Sequence, residues 1–295
     1  MRKLPRILAV VALVWCLGAQ AAPKVAVSIP PQKAVVDAVS GGSCEVLVLV
    51  GAGRDPHVFE PTPRQLEALR GRPLYFTIGL PFEQVLAGKL QQINPAMRFV
   101  AMAEAEPEAG KHEHGAACDH HEDDPHVWMS PDLLAGQASA VAAALSALDP
   151  ENAARYAAGA ADFAAKAAAL KAVIAERLSK AGATTVAVHH PAWGHFAEAF
   201  GLEQIAVESH GQSPGARHLA DFEKKIRERG VKTLLVQNEA ERRRVAAFAR
   251  KCGLRVVVVD PLAADVLGTL GATADALCGA DALCGADAGA KPATP

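Results

Sequence analysis

Aromatic side chains are scarce in this 295-residue sequence, which has three Trp, two Tyr and nine Phe. A hydrophobic core must therefore be built mainly from Ala, Val and Leu. Positive charge is not in excess either, because 30 Lys and Arg stand against 32 Asp and Glu, for a formal net charge of −2. We expect no nucleic-acid partner, since phosphate binding needs a surplus of basic side chains.

Long apolar runs are also absent after the N-terminus, so no later segment is expected to span a bilayer. The N-terminus itself has the three parts of a secretory signal. Three basic residues fall in its first six positions, residues 7–17 are apolar, and residues 19–21 read Ala-Gln-Ala, a small-x-small cleavage site. We therefore predict a signal peptide over residues 1–21 and a periplasmic mature chain with a net charge of about −5.

Cysteine is sparse, and its spacing does not form a zinc knuckle. Cys16 raises the possibility of a lipoprotein, but Trp15 before it is too large for a lipidation motif. The count outside the predicted signal is odd, so at least one thiol lacks a partner within the chain. These cysteines are Cys44, Cys118, Cys252, Cys278 and Cys284.

Short, nearly continuous apolar runs alternate with helical segments in both halves of the chain. This pattern is typical of buried parallel strands, so we predict an α/β fold with two lobes, each built on a parallel sheet. The predicted strands are residues 25–29, 46–50, 74–78, 99–102, 185–188, 204–207, 233–236 and 256–259.

One long Ala-rich helix is predicted between the halves, over residues 151–180. Asp149 is a good N-cap, Pro150 suits the first turn, and Gly182 suits the C-terminal end. Thirty residues would extend about 45 Å, enough to span both lobes, although an ordinary surface helix of one domain is the alternative.

The predicted organisation therefore has four parts. The ranges are a signal peptide (1–21), an N-terminal α/β lobe (22–149), a linking helix (150–181) and a C-terminal α/β lobe with a weakly specified tail (182–295).

A histidine-rich acidic tract is the most unusual part of the chain. Residues 112–131 hold five His among acidic residues, a composition that suits a borderline divalent cation such as zinc. Residues 110–123 lack apolar periodicity, so we predict a mobile loop there.

Four candidate metal ligands each follow a predicted strand: His57, His126, His190 and Asp260. Because ligands of parallel sheets bind outside the carboxyl ends of the strands, all four should meet between the lobes. Two alternatives stay open. His189 could replace His190, since only one of two successive rings can face the crevice, and Asp260 before a proline could simply be a turn residue.

Four motifs together resemble the zinc/manganese class of solute-binding proteins of metal ABC importers. They are PHVFEPTP (56–63), DPHVWMSP (124–131), HHPAWGHFAEAFGL (189–202) and VVDPLA (258–263). The resemblance covers nearly the whole mature chain, in the right order. It implies two α/β lobes joined by one rigid helix, and metal ligands at His57, His126, His190 and Asp260.

The resemblance also implies partners and further features. The chain would be a monomer that delivers metal to an ABC permease in the inner membrane. A disulfide in the second lobe would join Cys252 to Cys278 or Cys284. Auxiliary metal contacts could come from the histidine-rich loop and from the segment after the sixth strand, namely His112, His114, His120, His121, Glu208 and His210.

Three imidazoles and one carboxylate match tetrahedral zinc, whereas manganese prefers more oxygen ligands. Zn²⁺ is therefore the predicted cargo, with Mn²⁺ as the alternative. A periplasmic zinc buffer, an adhesin and a zinc hydrolase are further alternatives. The hydrolase is disfavoured because the sequence has no His-Glu-x-x-His motif and four protein ligands leave no position for water. We expect no enzymatic activity.

A first prediction concerns the histidine-rich loop. Deletion of residues 110–123 should leave one tight zinc site intact and remove only weaker additional binding, because these histidines are not held in a fixed geometry. Calorimetric titration of both forms would test this. Loss of the tight site on deletion would make the loop part of that site.

Overall fold

The fold is described by a computed structural model that covers residues 22–102, 124–208 and 215–279. It contains two four-stranded parallel sheets, which confirms the predicted fold class. The first has the order β2-β1-β3-β4 and the second the order β6-β5-β7-β8. The strands are β1 Lys24–Val27, β2 Glu45–Val48, β3 Leu74–Thr77, β4 Arg98–Ala101, β5 Thr185–Val188, β6 Glu203–Ala206, β7 Thr233–Val236 and β8 Arg255–Val258.

Helices cover both faces of each sheet and connect its strands. They are α1 Pro30–Ser40, α2 Pro63–Leu69, α3 Pro81–Ile93, α4 Pro131–Leu148, α5 Ala153–Ala181, α6 Gly194–Ala199, α7 Ala216–Glu228, α8 Glu239–Cys252 and α9 Val266–Leu277. Three short 3₁₀ turns lie at Pro56–Val58, Val127–Met129 and Pro150–Asn152. No helix among the described residues is long and apolar enough to cross a bilayer.

The two lobes repeat the same topology. In each sheet the first strand is central, the second lies on one side and the third on the other. The chain therefore changes direction at the carboxyl ends of β1 and β3, and again at those of β5 and β7. Such switch points leave a crevice at the sheet edge where ligands bind.

Helix α5 connects the lobes, as its predicted length indicates. It spans 29 residues, or about 44 Å, and contacts α1 of the first lobe and α9 of the second. Tyr156, Phe163, Ile174 and Leu178 are buried along one face. Gly182 ends the helix in the left-handed conformation with a φ of 62°, the predicted C-terminal cap.

The C-terminal segment is better ordered than the sequence predicts. We expected a weakly specified tail after about residue 271, but α9 continues to Leu277. The Asp265 side chain accepts a hydrogen bond from the Gly268 amide, and Leu270 and Ala274 are fully buried. Gly and Thr within the segment lower its intrinsic helix propensity, so the helix depends on tertiary packing.

Of the two predicted disulfides of Cys252, the one with Cys278 does not form, and both of these thiols are free among the described residues. Cys252 packs against the apolar cluster that holds Ala187, whereas Cys278 packs against the cluster that holds Val186. Because successive residues of a strand face opposite sides of a sheet, the second sheet separates the two thiols. The alternative partner, Cys284, and the signal peptide lie outside the described residues.

A second prediction tests the contact between α5 and α1. A Cβ atom at Gly159 would lie 2.3 Å from the carbonyl oxygen of Val39, so the backbones approach too closely for any side chain. Gly159→Ala should therefore lower the free energy of unfolding by about 1–3 kcal/mol, although Ala favours helix.

Gly88→Ala is the matched control, because Gly88 is an exposed glycine of α3 and a Cβ atom added there would meet no other atom within 4 Å. It should be neutral or stabilise by up to about 1 kcal/mol. Urea unfolding of both variants measures the difference. Equal stability changes would show that the α5–α1 contact tolerates expansion.

Candidate metal centre

His57 lies on the short 3₁₀ turn between β2 and α2. The Asp55 carboxylate caps this turn by accepting a hydrogen bond of 2.8 Å from the His57 amide. Phe59, two residues after His57, is buried, and its ring lies 5.0 Å from that of Phe82. This packing anchors the chain just after the turn. A capping box of Thr62 and Gln65 then begins α2. These contacts therefore hold the backbone of His57 in place but not its imidazole ring.

His126 is held more tightly, between β4 and α4. Its Nδ1 lies 2.6 Å from Oδ1 of Asp124, and its side chain is almost completely buried. The ring packs 5.2 Å from that of Trp128, whose indole nitrogen donates a 2.7 Å hydrogen bond to the Pro261 carbonyl. The Asp-Pro-His motif therefore orients its own histidine, and Trp128 connects it to the turn after β8.

His190 directly follows β5 and the switch point of the second sheet. The two successive histidines have different neighbours, although both rings contact Glu208. His190 points at the other ligands, while His189 is buried with its Nδ1 3.5 Å from both Glu208 and Glu241. Nδ1 of His190 lies 3.1 Å from Oε2 of Glu208.

The three imidazoles form a nearly regular triangle. Ring centroids are 5.3 Å apart for His57 and His126, 5.3 Å for His57 and His190, and 5.5 Å for His126 and His190. One nitrogen from each ring lies within 4.8 Å of the other two. Tetrahedral zinc would bring such atoms to about 3.4 Å, so only a modest contraction is needed.

A buried atom shows that this triangle fits a cation. Nε2 of His190 is inaccessible to solvent and has no hydrogen-bond partner among the described residues. A buried nitrogen without a partner is costly, and a metal ion would satisfy it. Since Nδ1 of His126 and of His190 each faces a carboxylate, Nε2 is the nitrogen that either ring could offer to a metal ion.

The electrostatics keep all three rings neutral. Burial is the largest cause that lowers the pKa of His57, with His190 adding to it. Burial also lowers the pKa of His126 and of His190, although the neighbouring carboxylates oppose it. Burial, the largest single cause, would raise the pKa of Asp124, but the hydrogen bonds and charge interactions with His126, together with His195, lower that pKa. The site therefore offers neutral imidazoles beside an ionised carboxylate.

Two other predicted metal-binding residues, Asp260 and Glu208, do not belong to the triangle of histidine nitrogens. Asp260 is exposed and lies outside the group of three; its carboxylate accepts a 2.9 Å hydrogen bond from the Leu262 amide, as a turn residue does. Glu208 lies behind His190, on Nδ1, rather than among the ligand atoms. The other predicted auxiliary ligands are outside the described residues: His112, His114, His120, His121 and His210.

Sequence reasoning missed two carboxylates that support the site. Asp124 stands two residues before His126, a spacing that could have indicated its hydrogen bond. Glu241 is the third residue of α8 and reaches His189 across the switch point. No local pattern could indicate that contact, because it joins segments 52 positions apart.

Residues 25–274 match the family described as zinc-uptake complex component A, periplasmic, abbreviated ZnuA. A putative metal-binding protein of Chlamydia muridarum is 30% identical over 257 residues, covering 86% of this chain and 90% of that protein. The zinc-binding lipoprotein AdcA of Streptococcus pneumoniae is 26% identical over 234 residues, covering 76% of this chain and 47% of AdcA.

Solved structures show the same fold. A crystal structure of ZnuA is similar with a TM-score of 0.77 and 33% identity, covering 88% of this chain and 100% of that chain. A ZnuA deletion mutant with zinc bound also has a TM-score of 0.77 and 33% identity, covering 89% and 99%. The Zn(II)-bound ZnuA-like domain of Streptococcus pneumoniae AdcA, at 20% identity and a TM-score of 0.69, covers 88% of this chain and 100% of that domain, and shares the fold.

A third prediction concerns pH. Because burial lowers the pKa values of the three histidines below 6.5, protons compete with zinc only below that value. Zinc affinity should stay nearly constant from about pH 8 down to about pH 6.5 and fall at lower pH. Competition with a chromophoric chelator at each pH would measure it.

The same lowered pKa values also make the stability of the metal-free protein depend on pH. Between the lowered folded pKa values and 6.5 the unfolded chain binds protons that the native state does not, so native stability should rise with pH through that window. An affinity that already falls tenfold between about pH 7.5 and about pH 6.5 would contradict the lowered pKa values.

Proposed function

Because the chain belongs to the ZnuA family of periplasmic zinc-uptake components, we propose that it captures zinc in the periplasm and delivers it to the permease of an ABC importer. The observation that carries this proposal is the triangle of His57, His126 and His190, with a buried Nε2 that lacks a partner among the described residues. Three neutral imidazoles, one of them from the second lobe, make a site suited to a borderline cation.

Zinc is favoured over manganese by the chemistry of the donors. All three converging atoms are imidazole nitrogens, whereas manganese prefers oxygen ligands and higher coordination. We propose Asp260 as the fourth ligand. Its turn is tied to Trp128 beside His126, because the Trp128 indole donates a hydrogen bond to the Pro261 carbonyl. Water is the alternative fourth ligand.

A carrier fits the surroundings of the site better than a hydrolase. Metal-assisted hydrolysis needs a base that is free to accept a proton beside the metal. Asp124 and Glu208 are both occupied by hydrogen bonds to ligand histidines. We therefore propose that these carboxylates orient ligands and that the protein has no catalytic role.

The remaining organisation follows from that role. We propose that residues 1–21 direct export, that residues 22–149 and 182–295 form the lobes, and that residues 150–181 join them. The mature protein would act as a monomer at an inner-membrane permease. The long shared helix supports small local movements during metal release rather than wide opening of the lobes.

A fourth prediction tests the ligand set. Replacement of His57, His126 or His190 with Ala should weaken zinc binding by more than about 100-fold, beyond the loss expected for residues that only support a ligand. Asp260→Ala should cost less, because water can take its place. Chelator competition measures each affinity.

His218→Ala is the control, since the His218 ring on α7 hydrogen-bonds the Ala206 carbonyl, away from the triangle. It should bind zinc like the unmodified protein. Unchanged zinc affinity in the variant that lacks all three ligand histidines would refute the proposed site.

A further inference from the structure

Glu208 occupies a position between two successive histidines at the end of β5. Its backbone amide donates a 2.9 Å hydrogen bond to the His189 carbonyl, which continues the pairing of β6 with β5. Its two carboxylate oxygens then diverge. Oε2 lies 3.1 Å from Nδ1 of His190, and Oε1 lies 3.5 Å from Nδ1 of His189. One largely buried side chain therefore contacts both rings.

The contact with His190 decides which ring nitrogen faces the triangle. A neutral imidazole carries one proton, and a carboxylate at Nδ1 retains it there. Nε2 is then left as a lone pair, and it is a buried atom without a hydrogen-bond partner among the described residues. Without an acceptor at Nδ1, the ring could take the other tautomer or rotate.

His189 lies on the far side of Glu208, and its buried Nδ1 has no hydrogen-bond partner among the described residues. His189 has its Nδ1 3.5 Å from Oε2 of Glu241, as well as from Glu208. Oε2 of Glu241 also accepts a 2.9 Å hydrogen bond from the Gln237 amide, which ties it to the end of β7. A row of neighbouring polar side chains thus extends from His190 through Glu208 and His189 to Glu241 at the start of α8.

The first lobe shows what the same position holds when no ligand is needed. Ser28 and Ile29 follow β1 in the same way that His189 and His190 follow β5. The Val50 amide donates a hydrogen bond to the Ser28 carbonyl, just as the Glu208 amide donates one to the His189 carbonyl. There Ile29 and Val50 are fully buried apolar residues. The topology therefore does not require a polar pair at this place.

A glutamate at the start of the helix after the third strand of each sheet is common to both lobes. Glu83, the third residue of α3, accepts hydrogen bonds from backbone amides after β3 and contacts the Ser28 hydroxyl. Glu241 is likewise the third residue of α8 and faces His189. A glutamate that secures the switch point is thus structural in both lobes, whereas the pair of Glu208 and His190 is particular to the second.

We infer that Glu208 is a positioning residue for the cargo metal: its carboxylate holds the His190 imidazole with Nε2 directed at the ion. This inference rests on the proposed function. The three ligands are supported unequally. His126 has the nearby Asp124, His190 has Glu208 from another strand, and no described side chain hydrogen-bonds the His57 ring.

The test compares zinc affinities by chelator competition in full-length mature protein. Glu208→Ala should bind zinc about 10–100-fold more weakly. Glu208→Gln should recover most of that loss, because its amide oxygen still accepts from Nδ1. Glu198→Gln is the matched control, since Glu198 is an exposed acid near His195 that contacts no member of the triangle, and it should match the unmodified protein.

A double-mutant cycle separates positioning from a general structural effect. If Glu208 acts through His190, adding Glu208→Ala to His190→Ala should change the remaining affinity by less than about twofold. Zinc binding by the unmodified protein and its loss in His190→Ala test the proposed function independently. The inference is overturned by full affinity in Glu208→Ala, by an equal loss in Glu208→Gln, or by a Glu208→Ala penalty that persists without His190.

Discussion

The fixed separation of the two lobes is the constraint on which the site depends. His57 and His126 belong to segments of the first lobe, and His190 ends a strand of the second, so their rings meet only if both sheet edges are held at one distance. Helix α5 supplies that distance by packing on α1 and on α9. At Gly159 it approaches the α1 backbone too closely for any side chain, which limits sliding between the layers.

Burial is what makes the converging histidines useful. Removing imidazoles from water favours their neutral form, which is the form that binds a metal. The same burial leaves ring nitrogens that need partners. Asp124 and Glu208 satisfy the Nδ1 atoms of two rings, while Nε2 of His190 has no hydrogen-bond partner in the part of the chain that the structure describes. Desolvation and selective hydrogen bonding together therefore prepare an affinity for a borderline divalent ion without a charged ligand in the triangle.

Repetition of one topology in both lobes separates structural from functional residues. Each switch point carries a glutamate at the third position of the helix that follows, which secures backbone amides. Only the second lobe adds a histidine and a glutamate where the first has Ile29 and Val50. Burying that polar pair costs solvation that an apolar pair would not, so stability does not account for its presence, whereas the proposed metal binding does.

The sequence by itself determined the strand and helix order, the linking helix and the three histidines, because apolar periodicity, capping residues and strand ends are local properties. It also indicated the choice of His190 over His189, since successive residues at a strand end must diverge. Only the tertiary structure decided what depends on contacts between distant segments. It placed Asp260 in a turn, Glu208 behind His190 and Glu241 against His189, ordered α9 by burial, and set Cys252 and Cys278 on opposite faces of a sheet. Distances between such residues follow from the way helices and sheets pack together, and no local sequence pattern encodes that packing.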